Sequence, residues 1–161
     1  MADPIDYFGE IEDAVIALVK DQLDHKGTYF DAPDEQVVKS DDDKLNEGHD
    51  YFFFTFPSAF PTVSAGTDVV ETIWMIRIEI FTRFSTPEST WANFKAFRSD
   101  IFNLFNVRNI GRNLNRTPRV VSVLLSSEGE PIFYGEESTP SDPVFYSQAM
   151  QLSVSTHINR T

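Results

Sequence analysis

Three histidines, a run of three aspartates and an arginine-rich loop are the parts of this chain whose residue types could do chemistry. His25, His49 and His157 stand far apart, and no pair has the spacing of a zinc motif. A serine–histidine–carboxylate triad assembles in space rather than in sequence. The G-x-S-x-G turn that presents a nucleophile is nevertheless absent. There is no cysteine, hence no disulfide and no thiolate metal site. The seven glycines are isolated, and no Gly-Lys-Ser/Thr loop is available to cradle phosphate.

Asp41, Asp42 and Asp43 invite a calcium reading, which their neighbours defeat. An EF-hand loop starting at Asp41 needs an oxygen ligand where Leu45 stands, glycine where Asn46 stands and glutamate where Phe52 stands. A solvated acidic loop is the expectation. Asn115-Arg116-Thr117 and Asn159-Arg160-Thr161 match a glycosylation acceptor, a match with meaning only in a secreted chain. The segment Met1 to Asp6 is acidic and lacks the basic and apolar regions of a signal peptide. No apolar run approaches the ~20 residues that span a bilayer. The default expectation is a cytoplasmic protein, and the sequence shows no motif for a cofactor, a metal or catalysis.

The net charge of −12 is unevenly placed. Residues 1–50 hold 15 acids and 4 bases, a net of −11, and residues 51–161 hold 10 acids and 9 bases, a net of −1. Such a balance disfavours non-specific binding to DNA or to an anionic membrane. The opposite sign concentrates in residues 108–119, where Arg108, Arg112, Arg116 and Arg119 supply four of the 13 bases. That loop can offset the end of a preceding helix or dock on an acidic neighbour. It lacks the aromatic residues that stack nucleic-acid bases.

The elements that position these groups read as follows. Residues 4–24 predict an amphipathic helix, with Asp3 as cap and Pro4 at the first position. Its stripe is Ile5, Phe8, Ile11, Val15, Leu18, Val19 and Leu23, with Glu10, Glu12 and Asp13 on the polar side. Residues 28–50 predict a long acidic loop with a short strand around Val37. Residues 51–56, Tyr-Phe-Phe-Phe-Thr-Phe, predict a strand either buried on both faces or meeting another subunit. Pro57, Pro61 and Gly66 mark a connection. From about Asp68 to Phe84 the even positions are apolar or small, and several odd ones are charged, the period of a half-buried strand. Thr86, Pro87 and Glu88 then read as cap, first helical residue and dipole partner. Trp91, Phe94, Phe97, Arg98, Ile101, Phe102, Leu104 and Phe105 form that helix's stripe.

Val120 to Leu125 predicts a strand, Glu128 to Pro131 a turn and Ile132 to Tyr134 a short extended piece. Gly135 to Pro143 is a second acidic loop, and Val144 to about Ile158 repeats the alternation of the earlier long strand. The whole, 161 residues, is expected to be one α+β domain. It should hold a mixed, mostly antiparallel sheet of about four to five strands, with two main helices on one face. With 15 phenylalanines the core can be built largely from aromatic rings.

In order and character this pattern resembles the tail terminator proteins of long-tailed phages with non-contractile tails, also called tail-completion or minor tail proteins. The resemblance is carried by the N-terminal helix from Ile5 to Leu23 and the long strand ending Ile78-Glu79-Ile80-Phe81-Thr82-Arg83. A helix opening Trp91-Ala92-Asn93-Phe94 and a last strand ending Gln148-Ala149-Met150-Gln151-Leu152-Ser153-Val154 complete it. It implies a structural virion protein, assembled in the host cytoplasm and placed at the head-proximal end of the tail. Copies would form a hexameric ring that caps the tube, stops its polymerisation and docks the head–tail connector. The partners implied are the chain itself, the tail tube protein and the connector, with DNA passing through unbound and no membrane.

Within such a ring, Glu71, Glu79, Asp41, Asp42 and Asp43 are candidate acidic residues of the lumen, which should repel phosphate. Phe52, Phe54, Arg108, Arg112, Arg116 and Arg119 are candidate contacts to a neighbouring subunit or partner. Two alternatives stand beside this. One is a head-completion or neck protein of the same particle. The other is a small ligand-binding or enzymatic domain, for which His157, Glu79 and Arg77 on the polar sheet face would be the best site.

Overall fold

The computed structural model describes residues 7–23, 29–39, 49–57, 61–66, 68–84, 86–107, 119–127, 130–134 and 144–159. Helix α1 (Tyr7–Leu18) runs on into a π-helical turn, Val19–Leu23. A one-turn helix α2 (Pro33–Gln36) leads directly into β1 (Val37–Lys39). Strands β2 (Tyr51–Pro57), β3 (Thr62–Ala65) and β4 (Val69–Phe84) follow. Helix α3 (Pro87–Phe102) ends in a second π-helical turn, Asn103–Val107. Strands β5 (Arg119–Ser127), β6 (Ile132–Tyr134) and β7 (Val144–Asn159) close the chain. The cap expected at Asp3 and Pro4 and the helix end at His25 to Gly27 lie outside the described residues.

The architecture is α+β, as the alternation predicts. Five strands run in the order β1-β2-β4-β7-β5, with β3 beside β4 and β6 beside β7. Every pairing is antiparallel except β1 with β2. β4 and β7 are the spine, pairing without a break from Val69↔Asn159 to Phe84↔Val144. β3 is a strand within the stretch expected to be only a connection.

The alternation of β4 is realised in burial. Thr72, Ile76, Ile78, Ile80 and Thr82 are buried, whereas Glu71 and Arg77 are exposed. Ile76, Ile78 and Ile80 pair with Leu152, Met150 and Gln148 of β7, so one side of the sheet is continuously covered. Both main helices pack on that side. Phe8 of α1 lies 6.3 Å from Trp74, and from α3 Trp91 lies 4.8 Å from Tyr146. Aromatic rings fill the layer between: Phe97 is 5.0 Å from both Tyr29 and Tyr51, and Phe105 stacks 6.5 Å from Phe53. Burying each such side chain contributes about 1.5–3 kcal/mol.

The junction of β4 with α3 follows local chemistry. Thr86 is extended and its hydroxyl accepts from Ser89 N at 3.2 Å, satisfying one of the free donors of the first turn. Thr90 is fully buried; its hydroxyl donates to Thr86 O at 2.7 Å and accepts from Phe84 N at 3.1 Å, tying helix start to strand end. The expected stripe of α3 needs one correction. Phe94, Phe97, Ile101, Leu104 and Phe105 are buried, but Phe102 is half exposed. It belongs to the flanking row with Trp91 and Arg98, one residue off the buried face.

Candidate functional site: the open face of the sheet

Among the described residues, no helix lies over the second face of the sheet. Odd positions of β4 (Ile73, Met75, Arg77) meet odd positions of β7 (Ser155, Ser153, Gln151), and these meet Ser122, Leu124 and Ser126 of β5. The sixteen paired residues of β4 and β7 make a ladder about 50 Å long, whose Ser147 end is buried on this face. Its side chains are mainly small and polar, with apolar residues between them. Ser153 Oγ donates to Met75 Sδ at 3.4 Å, and Leu124 stands out into solvent. A pleated surface of short side chains offers a broad contact area rather than a cleft.

Its charges are few and widely separated. Arg77 Nη2 and Glu79 Oε1 form an exposed ion pair at 2.9 Å, so Glu79 does not present an uncompensated charge. Glu71 is exposed near the far end of β4, opposite His157. The eight residue steps from Glu71 to Glu79 amount to about 26 Å of strand. The two glutamates are therefore separate positions and not one acidic belt. Asp41, Asp42 and Asp43, with Arg108, Arg112 and Arg116, lie outside the described residues. Arg119 begins β5, in register with His157.

The same register breaks up the alternative site. His157 sits opposite Glu71, whereas Arg77 sits opposite Gln151, six residues or about 20 Å along β7. His157, Glu79 and Arg77 therefore do not converge. Among the described residues, no three His, Asp or Glu side chains group to hold a metal, and no helix is long and apolar enough to cross a membrane.

At the β2 end, the face becomes aromatic and closed. Phe54 lies 5.6 Å from Phe52 and from Phe81, and the His49 ring is 6.0 Å from Phe52. Phe52 and Phe54 are only 1% and 3% exposed. Of the two readings of residues 51–56, burial on both faces is the one realised. As candidate contacts to another subunit, Phe52 and Phe54 are corrected: they are core of a single chain and present almost no surface.

A hollow of about 580 Å³ lies on the helix side, between the second half of α3 and strands β5 and β7. Arg98, Gln148, Phe102, Leu125 and Met150 are among the residues that line it. Arg98 Nη1 donates to Gln148 Oε1 at 3.1 Å, and its guanidinium lies over the rings of Trp91 and Phe94. No carboxylate or imidazole is among the described residues lining the hollow, so these supply no general acid–base pair.

Three polar arrangements escaped the sequence reading. Glu12, assigned to the solvent side of the first helix, is buried. It accepts from Thr55 Oγ1 at 3.0 Å, and Lys39 Nζ lies 3.6 Å from it and 2.6 Å from Asp13. The hydrogen bond from Lys39 to Asp13 holds the ammonium above its ordinary pKa. Gln36 is fully buried and serves three backbone groups: its amide Nε2 donates to Tyr51 O at 2.9 Å and Tyr29 O at 3.3 Å, and Oε1 accepts from Ala32 N at 2.7 Å.

His49 is the third. Its Nδ1 is 3.0 Å from Asp31 Oδ1 and its Nε2 2.8 Å from Glu35 Oε2. Two carboxylate acceptors on one ring favour the imidazolium, which donates from both nitrogens. The hydrogen bond to Glu35, and then that to Asp31, raise the His49 pKa against the opposing effect of burial. Each arrangement includes a partner at least 14 residues away: Glu12 with Thr55, Gln36 with Tyr51 and His49 with Glu35.

The sequence matches no known family model and no curated protein.

Proposed function

We propose that this chain is the tail terminator of a phage with a long, non-contractile tail. Copies close into a ring on the end of the tail tube and stop further addition of tube subunits. The opposite ring face receives the head connector, and DNA passes through the hole. The work is done by fitting together, without turnover of a small molecule.

The observation that carries the reading is the open face. Two 16-residue strands, paired along their whole length, carry the described helices on one side; on the other, between Glu71 and Arg77, no described helix lies over them. The uncovered side is broad and sparsely charged. Stable protein contacts need about 800 Å² from each partner, an area that only a broad surface can offer. An active site would instead need polar groups converging in a concavity. The candidate set His157, Glu79 and Arg77 is spread along the strands, and the described lining of the α3 hollow lacks an acid–base pair. The net charge of −12 is consistent with a conduit that releases DNA rather than holding it.

Electron microscopy of tail tubes incubated with the purified chain tests this. Rings seated on one tube end are expected. Bare tubes would count against the reading, and rings on portal complexes alone would move the chain to the neck of the particle.

A further inference from the structure

β5 ends the sheet on its side, and no described strand lies beyond it. In an antiparallel ladder, successive residues point their N–H and C=O alternately toward the neighbouring strand and away from it. Leu125 points its pair away from β7, and one side chain takes both. Leu125 N donates to Asn106 Oδ1 at 2.7 Å, and Asn106 Nδ2 donates to Leu125 O at 2.8 Å. A side-chain amide carries the same donor and acceptor as a peptide unit, so Asn106 occupies the edge as a residue of a neighbouring strand would. The π-helical turn that presents it is anchored by Leu104 and Phe105, both buried.

The surroundings give this contact a purpose. Val121 and Leu124 of β5 and Val107 beside Asn106 are 50%, 60% and 67% exposed. An edge strand with exposed apolar residues is a template for pairing with another chain. Residues 120–127, Val-Val-Ser-Val-Leu-Leu-Ser-Ser, carry no charge, although the chain as a whole carries −12. Like charges add to the repulsion when two copies meet through acidic surface, and residues 120–127 bring none of their own to the contact. Any strand can pair antiparallel with its own copy about a two-fold axis. Among the described residues, Asn106 is thus the group seen to occupy this edge.

We propose that Asn106 is an autoinhibitory contact that keeps two copies of this chain from pairing edge to edge through β5. The inference stands apart from the tail-terminator reading, since it concerns the free chain alone. A competing strand would exchange one donor and one acceptor for another, with little net change in hydrogen bonding. The block is thus a matter of occupancy: the amide is tethered and already in place.

The test is the Asn106→Ala variant, followed by light scattering after size exclusion and by amide hydrogen exchange. Leu125 N–H should exchange at least about tenfold faster than in the parent chain when dilute. The molar mass should rise toward twice that of the parent at high concentration. Adding Leu124→Lys, a charge on the edge, should restore the parent mass. Asn106→Asp keeps the acceptor for Leu125 N–H, loses the donor to Leu125 O, and should associate to an intermediate degree. Folded variants with the parent's mass at every concentration would overturn the proposal. So would a mass increase that Leu124→Lys leaves untouched. Loss of fold in both Asn106 variants would make the contact purely structural and overturn it too.

Discussion

The two faces of β4 are made by neighbouring residues of one strand, yet they obey different rules. Ile76, Ile78 and Ile80 are inaccessible, under α3 and beside β2 and β7. Met75 and Arg77, one residue away, look onto a face with none of the described helices over it. The first face sets whether the chain folds. The second is nearly free of that duty, so its composition can answer to a partner. Interfaces with other chains are expected where the stability of the single chain is least engaged.

Core truncation should separate the faces most strongly. Phe97→Ala removes a fully buried ring and should cost about 3–5 kcal/mol in urea unfolding, whereas Met75→Ala should cost less than about 1 kcal/mol. Comparable losses would mean that the open face is core after all. Next comes the buried polar contact under α1. Thr55→Val removes the hydroxyl that donates to Glu12 and should cost about 1–3 kcal/mol. A neutral result would show that Lys39 alone satisfies that carboxylate.

His49 should give a smaller effect with a defined pH dependence. Its folded pKa is raised, so its contribution is complete below the unfolded value of about 6.5 and fades as pH rises through the folded value. His49→Ala should therefore lose about 1–2 kcal/mol at pH 6 and progressively less at higher pH. A loss that grows with pH would contradict the imidazolium. The least effect is expected on the open face itself. Arg77→Ala breaks an exposed ion pair and should change stability by less than about 1 kcal/mol.

What was legible in the sequence was what local spacing controls. The alternation in β4 and β7 and the Thr86-Pro87-Glu88 start of α3 depend on residues within a few positions of one another. β3 escaped because Thr-Val-Ser-Ala, lying between Pro61 and Gly66, has too little apolar alternation to stand out. Phe102 was misplaced because a stripe counted in threes and fours does not resolve a flank from a face. Glu12 looked like a solvent residue because its partner Thr55 is 43 positions away. Asn106 closes on Leu125 across 19 residues, so its neighbours in sequence give no sign of the role. Of the candidate site, the low charge of the open face could be read in advance, but the spacing of its charges came only with the register of β4 on β7.

The most direct test of the tail-terminator assignment is a tube-growth assay. Purified chain is added in increasing amounts to polymerising tail tube protein of the same phage, and tube lengths are measured by electron microscopy. The prediction is growth that stops early, with tube length falling as the chain is raised and a ring on the blocked end. Unchanged growth rate and length distribution at saturating chain would contradict it.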